Sequence, residues 1–273
     1  MLFKLPKYRW FLPLGIIIEK FLWKKFNTEL LFLEISTLIL TKLGVHKYYN
    51  GMMWEPFNRK EIISIKNIRS FLDSFAKDDN WHNLDAKTGN LGYGWIHYSL
   101  IRVFRPTQVL VIGSRWGFVP AVCALACKDN QKGMVDFVDA GYDYQNPKDK
   151  KHWGGVGYWK EKDPKKHFNK FNLENYIHIY ITTSKEFSKK YPKKKWDYIN
   201  IDADHSYEGI SSDFETFWPR LRKRGFMSLH DIYTNLPGSL EYGVYRYWAK
   251  IKKIYPNTLE FAGEYGLGLL QKE

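Results

Sequence analysis

The sequence predicts an α/β fold: an open, mostly parallel sheet closed by a C-terminal antiparallel hairpin, behind an N-terminal helical extension. Three observations carry that prediction. Two short apolar runs end in acids and imidazoles, Tyr198-Ile-Asn-Ile-Asp-Ala-Asp-His205 and Phe226-Met-Ser-Leu-His-Asp231, and a buried strand that delivers polar groups at its carboxyl end belongs to the ligand-binding edge of such sheets. Between them Ile210, Phe214, Phe217, Trp218 and Leu221 recur at helical spacing, up to a stop at Arg224-Gly225, so a right-handed crossover sets the two strands parallel and adjacent. Further upstream, Val109-Leu-Val-Ile112 runs into a glycine turn and then a helix.

Composition sets the outer bounds. With 273 residues, 44% of them hydrophobic and 18% aromatic, the chain can bury a full core and is excluded from the disordered class. The formal charge of +13 comes mostly from lysines, clustered at 147–170 and 185–195. Such runs are ordinarily solvated faces, although they can also meet nucleic acid, anionic lipid or a phosphorylated glycan. Cys123 and Cys127 lie four apart, a spacing that suits neither a disulfide framework nor a zinc site, so both read as core residues of a helix in a reducing, cytoplasmic compartment.

Taken in order, residues 1–45 hold two apolar stretches. Trp10 to Ile18 is interrupted by Pro13 and Gly15, and Leu30 to Leu40 contains Glu34; both are short of the about 20 residues that span a bilayer. Glu19-Lys-Phe-Leu-Trp-Lys-Lys25 follows the first where a cleavage site would need small residues. Two readings remain, helices that mediate homo-oligomerisation and a helical hairpin making peripheral membrane contact, and the first is the expectation. Helices are then expected over Arg59 to Phe75 and Gly94 to Phe104, the second ended by Pro106, with a polar loop through Asp85 and a domain boundary at residue 88.

The glycine turn follows the first strand. Gly113 and Gly117 let the backbone turn tightly and a ligand come close, and Pro120 suits the first turn of a helix. The second strand, Met134 to Asp139, ends in an acid 139 − 113 = 26 residues after the first glycine, about where nucleotide-binding folds place the carboxylate for ribose hydroxyls. The Gly-Lys-Ser/Thr ending of a P-loop is absent, which disfavours ATP hydrolysis. A polar insertion from Ala140 to Phe168 contains Trp153-Gly-Gly-Val-Gly-Tyr-Trp159, readable as a flap over a ligand or as a packed surface loop. Asn175 to Ile181 is the third strand, and Thr182-Thr-Ser-Lys-Glu-Phe187 opens a capped helix. After the fifth strand come a loop over Tyr233 to Tyr242, an amphipathic helix over Gly243 to Lys253, and a hairpin over Leu259 to Leu270 turned at Gly263 to Gly266. That makes seven strands.

At this point Ile112-Gly-Ser-Arg-Trp-Gly117, Asp139, Ile201-Asp-Ala-Asp-His-Ser-Tyr-Glu-Gly209, Asp213, Leu229-His-Asp-Ile232 and Gly243-Val-Tyr-Arg-Tyr-Trp248 stand together. The combination resembles the class I S-adenosylmethionine-dependent methyltransferases, in particular the group related to macrocin O-methyltransferase and cephalosporin hydroxylase-like proteins, over roughly residues 90–270. The resemblance implies a Rossmann-like sheet over residues 89–273 and S-adenosylmethionine as cofactor. Its implied cofactor residues are Gly113, Ser114, Arg115, Gly117, Asp139, Ser184 and Asp202. It also implies a magnesium or manganese site at Asp202, His230 and Asp231, with 230 − 202 = 28 residues between the first two, and a general base at Asp204 or His205. Two departures stand out: Val111 occupies the place of a usual acid before the first glycine, and His230 that of an acidic ligand, where magnesium would prefer oxygen.

The implied reaction is O-methylation of a sugar or other small hydroxylated acceptor. Asp202-Ala-Asp204 is also the Asp-x-Asp of metal-dependent glycosyltransferases, although those need no glycine turn followed by Asp139. A non-catalytic basic scaffold retaining the cofactor fold is the other alternative. Base-amine methylation of nucleic acid is not expected, because no Asn/Asp-Pro-Pro-aromatic motif follows the fourth strand.

Overall fold

A computed structural model of the chain describes residues 65–77, 79, 81–142, 157–161, 163–235, 242–263 and 265–273. The self-association or membrane contact expected of residues 1–45 lies outside these, as do the first six residues of the helix expected from Arg59 and most of the glycine- and tryptophan-rich segment before Gly157. No helix among the described residues is long and apolar enough to cross a membrane.

Helices α1 (Ile65–Phe75) and α2 (Gly94–Phe104) lead into β1 (Gln108–Ile112), followed by α3 (Phe118–Asp129) and β2 (Met134–Asp139). After α4 (Tyr158–Glu161) and α5 (Pro164–Asn169) come β3 (Ile177–Ile181), α6 (Ser184–Lys190), β4 (Trp196–Ile201), α7 (Tyr207–Phe217) and β5 (Leu221–His230). Helix α8 (Val244–Ile251) and strands β6 (Thr258–Phe261) and β7 (Leu267–Gln271) complete the described elements. The seven strands lie in the order β3-β2-β1-β4-β5-β7-β6. β1 to β5 are parallel, and β7 is antiparallel to both β5 and β6. This is the Rossmann-like seven-stranded sheet expected of the sequence.

Strand alternation divides the core into two layers. Val109 and Val111 of β1 point into a cluster with Phe71, Phe75, Phe118 and the whole apolar body of α3, including both free cysteines. Leu110 and Ile112 point the other way, towards Phe187, Trp196, Phe214 and Trp248. Both faces are therefore covered, which is why β1 and β4 read as near-continuous apolar runs.

One boundary differs from expectation. Helical spacing puts Leu221 on the helix, yet it opens β5 and pairs with Trp196, and the ladder resumes at Tyr198 with Phe226. The intervening residues form an irregularity with Arg224 in the left-handed region at φ 62°, and Arg222 ties it to Asp197 at 2.9 Å. The helical spacing ran one residue too far because the 3-10 turn Trp218–Arg220 continues the helical pattern after α7 ends.

Trp196 anchors the second layer. Its ring is fully buried between Phe187 and Phe217, with centroids 6.0 and 5.9 Å away, and its Nε1–H donates to the buried Asp136 at 2.7 Å. Trp196→Ala would open a large cavity and remove a donor from that carboxylate. A loss of about 3–5 kcal/mol is expected in denaturant titration, and a change under 1 kcal/mol would show that this layer is not what holds the sheet.

Candidate functional site

The predicted residues converge at the carboxyl ends of the parallel strands. A cavity of about 570 Å³ opens there, and its wall combines the loops after β1, β2, β3, β4 and β5 with Asp79, Trp81 and His82 ahead of α2. Its two ends differ in chemistry.

The first end is built on the glycine turn. Gly113 sits at φ 78°, and a Cβ there would lie 2.0 Å from the Asp202 carbonyl oxygen, so only glycine allows the β1 loop to rest on the end of β4. Asp139 holds that turn from below: Oδ2 accepts the Ser114 N–H at 3.0 Å and Oδ1 the Gly141 N–H at 2.7 Å. Burial pushes the Asp139 carboxyl up to about 6, against the downward pull of those two hydrogen bonds and with a further push from Asp202. Its remaining lone pairs suit the hydroxyls of a ribose. Arg115 lies over the Trp81 ring at 4.5 Å, and its buried Nε has no hydrogen-bond partner among the described residues. Ser184 donates to Asp213 at 2.6 Å, and both line the cavity. These groups fit a nucleoside-bearing cofactor with a polar tail.

Gly117 is placed differently. It turns the chain into α3 at φ 87° and is absent from the cavity wall, its Cα covered by the rings of Trp159 and Phe168. Trp159 is buried, stacks on Phe168 at 5.8 Å, and donates its Nε1–H to the Ser114 carbonyl at 2.8 Å. This end of the expected flap is thus a packed wall that also braces the glycine turn.

The second end is a cluster of acids and imidazoles. His205 Nε2 lies 3.2 Å from both Asp202 Oδ1 and Asp231 Oδ2. His230 Nδ1 lies 3.6 Å from Asp202 Oδ1 and 3.3 Å from Asp231 Oδ2, and its Nε2–H donates to the Trp81 carbonyl at 2.9 Å. Asp231 adopts φ 63°, a costly backbone state for a non-glycine residue and of the kind that collects at functional sites. Burial alone would raise Asp202, but His230, His205 and His82 hold it well below the usual carboxylate range. Burial likewise opposes the charge on His230, which Asp231 and Asp202 nevertheless drive well above its ordinary value.

Two of these neighbours were missed in the sequence. His82 lies in what reads as a plain polar loop, yet its ring stacks on His230 at 4.5 Å and its Nδ1 meets Asp79 Oδ2 at 2.9 Å. Burial lowers the His82 imidazole, but Asp79 outweighs it and leaves the group at about 8. The available signal was the density of ligand-type side chains from Asp78 to His82. Asp204, by contrast, turns back on its own chain, accepting the Ser206 N–H at 2.9 Å and lying against Gly209.

Donor atoms of Asp202, His205 and Asp231, and of His82, Asp202 and His230, fall in two groups, each within 4.8 Å. Carboxylate oxygens and imidazole nitrogens so gathered fit a divalent ion of the first transition row better than magnesium.

Comparison with known proteins bears on the same edge. Residues 110–232 match the family described as methyltransferase domain, and those bounds run from the first strand to the residue after Asp231. Over that span the chain is similar to a methyltransferase domain. Its fold is class I: the chain is similar to a putative caffeoyl-CoA O-methyltransferase from Staphylococcus aureus, with 17% identity, 84% of this chain and 100% of that one covered, and a TM-score of 0.54. It is also similar to the O-methyltransferase TomG from Streptomyces achromogenes, solved with S-adenosylmethionine, at 12% identity, 84% and 96% coverage and a TM-score of 0.51. Uncharacterized protein y4gI of Sinorhizobium fredii is 23% identical over 192 residues, 69% of this chain, which spans only 20% of that protein's length.

Asp213 offers a test of the cavity's burial. Burial holds its carboxyl up to about 6, with the Ser184 hydrogen bond opposing and Asp204 adding to the rise. The folded state therefore binds more protons between the unfolded value of about 3.9 and 6, so stability falls as pH rises through that window and stays lower above it. Asp213→Asn should be more stable than the parent at pH 8, by at most roughly 3 kcal/mol, with the difference fading towards pH 4. Equal stability at pH 8 would mean that the carboxyl is better solvated than its surroundings indicate.

Proposed function

We propose that this chain transfers the methyl group of S-adenosylmethionine to a hydroxyl oxygen of a sugar or another small hydroxylated acceptor, assisted by a divalent ion. The observation that carries this reading is the single cavity joining the Gly113–Asp139 end to the Asp202–His205–Asp231 end. Bound at the first end, the cofactor would supply an electrophilic methyl: the acceptor oxygen would form its bond to that carbon in line as the C–S bond breaks and S-adenosylhomocysteine leaves as a neutral thioether. Asp139 and the backbone of the Gly113 turn hold and orient it there, and Trp159 and Tyr158 on the wall exclude water.

At the other end the hydroxyl must lose its proton as it attacks. Of the two candidate bases, Asp204 is engaged with the Ser206 N–H, whereas His205 faces the acids across the cavity and is backed by the Tyr242 ring at 5.4 Å. His205 is the base in this reading. Asp202, His230 and Asp231 would hold a divalent ion, which would orient the hydroxyl and lower its pKa when bound. A glycosyltransferase using Asp202 and Asp204 is disfavoured, since Asp204 turns towards Gly209 and does not stand beside Asp202 as a paired ligand.

Two measurements test this. Asp139→Ala should weaken S-adenosylmethionine binding in calorimetry without altering the far-ultraviolet circular dichroism, and an unchanged affinity, or binding of UDP-sugar in place of S-adenosylmethionine, would remove the cofactor assignment. With an acceptor in hand, Asp202→Asn should abolish turnover at near-parental cofactor affinity, and EDTA should do the same until manganese is restored. His205→Ala should lower the rate by roughly 10²–10⁴, less at high pH where the acceptor ionises unaided. Full activity of His205→Ala would show that the proton leaves by another route.

A further inference from the structure

We infer that His82, supplied by the segment ahead of the sheet, is a further ligand of the divalent-ion centre, making it a mixed nitrogen–oxygen site that takes a transition-metal ion in preference to magnesium. The inference rests on the metal-assisted reading above. It deepens that reading by naming a ligand outside the sheet and the class of ion.

The argument begins with orientation. A histidine binds a metal through one ring nitrogen only if that nitrogen carries a lone pair, and protein centres secure this by giving the other nitrogen an acceptor. His82 is arranged that way: Nδ1 is taken by the Asp79 carboxylate, at 2.9 Å from Oδ2 and 3.1 Å from Oδ1. Asp79 is itself fixed, since its Oδ1 accepts the Trp81 N–H at 2.9 Å. The opposite nitrogen, Nε2, points at Asp202 Oδ2 from 3.4 Å and is buried with no hydrogen-bond partner among the described residues. His230 repeats the pattern, with the Trp81 carbonyl on Nε2 and Nδ1 facing the acids. One short segment, Asp79 to His82, thus holds both imidazoles in place.

Spacing and burial agree with that orientation. Donors about 2.1 Å from a common ion lie roughly 3–4.2 Å from one another; His82 Nε2 stands 3.4 Å from Asp202 Oδ2 and His230 Nδ1 3.6 Å from Asp202 Oδ1, so each oxygen of that carboxylate faces one imidazole, and one donor atom from each of the three residues lies within 4.8 Å of the others. His82 is 7% and His230 4% exposed, so neither nitrogen has water as its ordinary partner. Stacking of the two rings at 4.5 Å keeps their donor edges side by side. Two imidazoles with carboxylates form a donor set suited to manganese, iron, cobalt or zinc, whereas magnesium favours an all-oxygen shell.

The experiment uses the full chain, stripped with chelator and titrated with manganese, cobalt or magnesium in separate calorimetric runs. Manganese and cobalt should bind well ahead of magnesium, and pulsed electron paramagnetic resonance of the manganese form should show coupling to at least two imidazole nitrogens. His82→Ala should lose one nitrogen coupling and bind manganese at least about 10–100-fold more weakly, with S-adenosylmethionine affinity retained as evidence of folding. Unchanged manganese affinity and nitrogen coupling in His82→Ala would overturn the assignment while leaving the ion at Asp202 intact, provided Asp202→Asn still loses it. If His82→Ala does not fold, coupling to a single nitrogen in the parent protein overturns it equally, as does equal affinity for magnesium and manganese. Failure of the parent protein to bind any of the three ions would sink the metal-assisted reading itself.

Discussion

The contact on which the rest of the site depends is the one between the ends of β1 and β4. The Asp202 N–H donates to the Ile112 carbonyl at 2.9 Å, continuing the ladder one residue past the strands, and the missing side chain of Gly113 lets the two backbones meet there. Because they meet, the turn that would cradle a cofactor and the acid that heads the imidazole cluster are neighbours on one rim. A β-carbon at position 113 would have to push that rim apart, and the two chemical ends of the cavity would no longer share one space.

Behind this contact lies a ladder of polar side chains on one sheet face. Tyr198, Asn200 and Asp202 alternate along β4, and Ser228 and His230 along β5, in a register that pairs Asn200 with Ser228. The Ser228 hydroxyl lies 2.9 Å from the Tyr198 hydroxyl and donates to Asn200 Oδ1 at 2.8 Å, while His97 of α2 meets the Tyr198 hydroxyl at 2.6 Å. Burial drives His97 down to about 3, with His82 and His230 adding to the fall, so it enters the network as a neutral ring. A one-residue slip of β5 would strand these groups against apolar partners, since buried polar groups cost heavily when unpaired. The ladder therefore ties the register of two strands to the placement of Asp202 and His230.

Much of this was legible from local pattern. Met134–Asp139 and Gly94–Phe104 fall where periodicity, the Pro106 stop and the glycine signals put them, and the parallel pairing of β4 with β5 follows from a crossover of the length seen. What was not legible had non-local causes. Leu221 fits a helical spacing by residue type alone, and only its pairing with Trp196 shows it to be strand. Trp159 resembles a flap residue in a run of glycines, but the ring is drawn into the core by Phe137 and Phe168. His82 and Asp79 are remote in sequence from Asp202, and no periodic signal connects a loop before α2 to the ends of β4 and β5. The site was therefore visible as far as the sheet builds it and hidden where another segment completes it.

The charge of the cavity narrows what can occupy it. The whole chain carries +13, yet the cavity wall contains the aspartates 79, 139, 202, 204, 213 and 231 against Arg115 and three histidines. A nucleotide sugar would bring a diphosphate into that field with Arg115 as the one permanent cation among the described residues of the wall, whereas a sulfonium and a divalent ion would both arrive as cations. Lysines 165, 166, 185, 189 and 190 stand on the exposed surface, where water screens them. Their positive field is thus felt outside, in bulk solvent, and the aspartates' field inside, where the low dielectric makes each charge count for more. In this chain the imidazoles around Asp202 and Asp231 keep that acidic wall from being a set of unpaired buried charges.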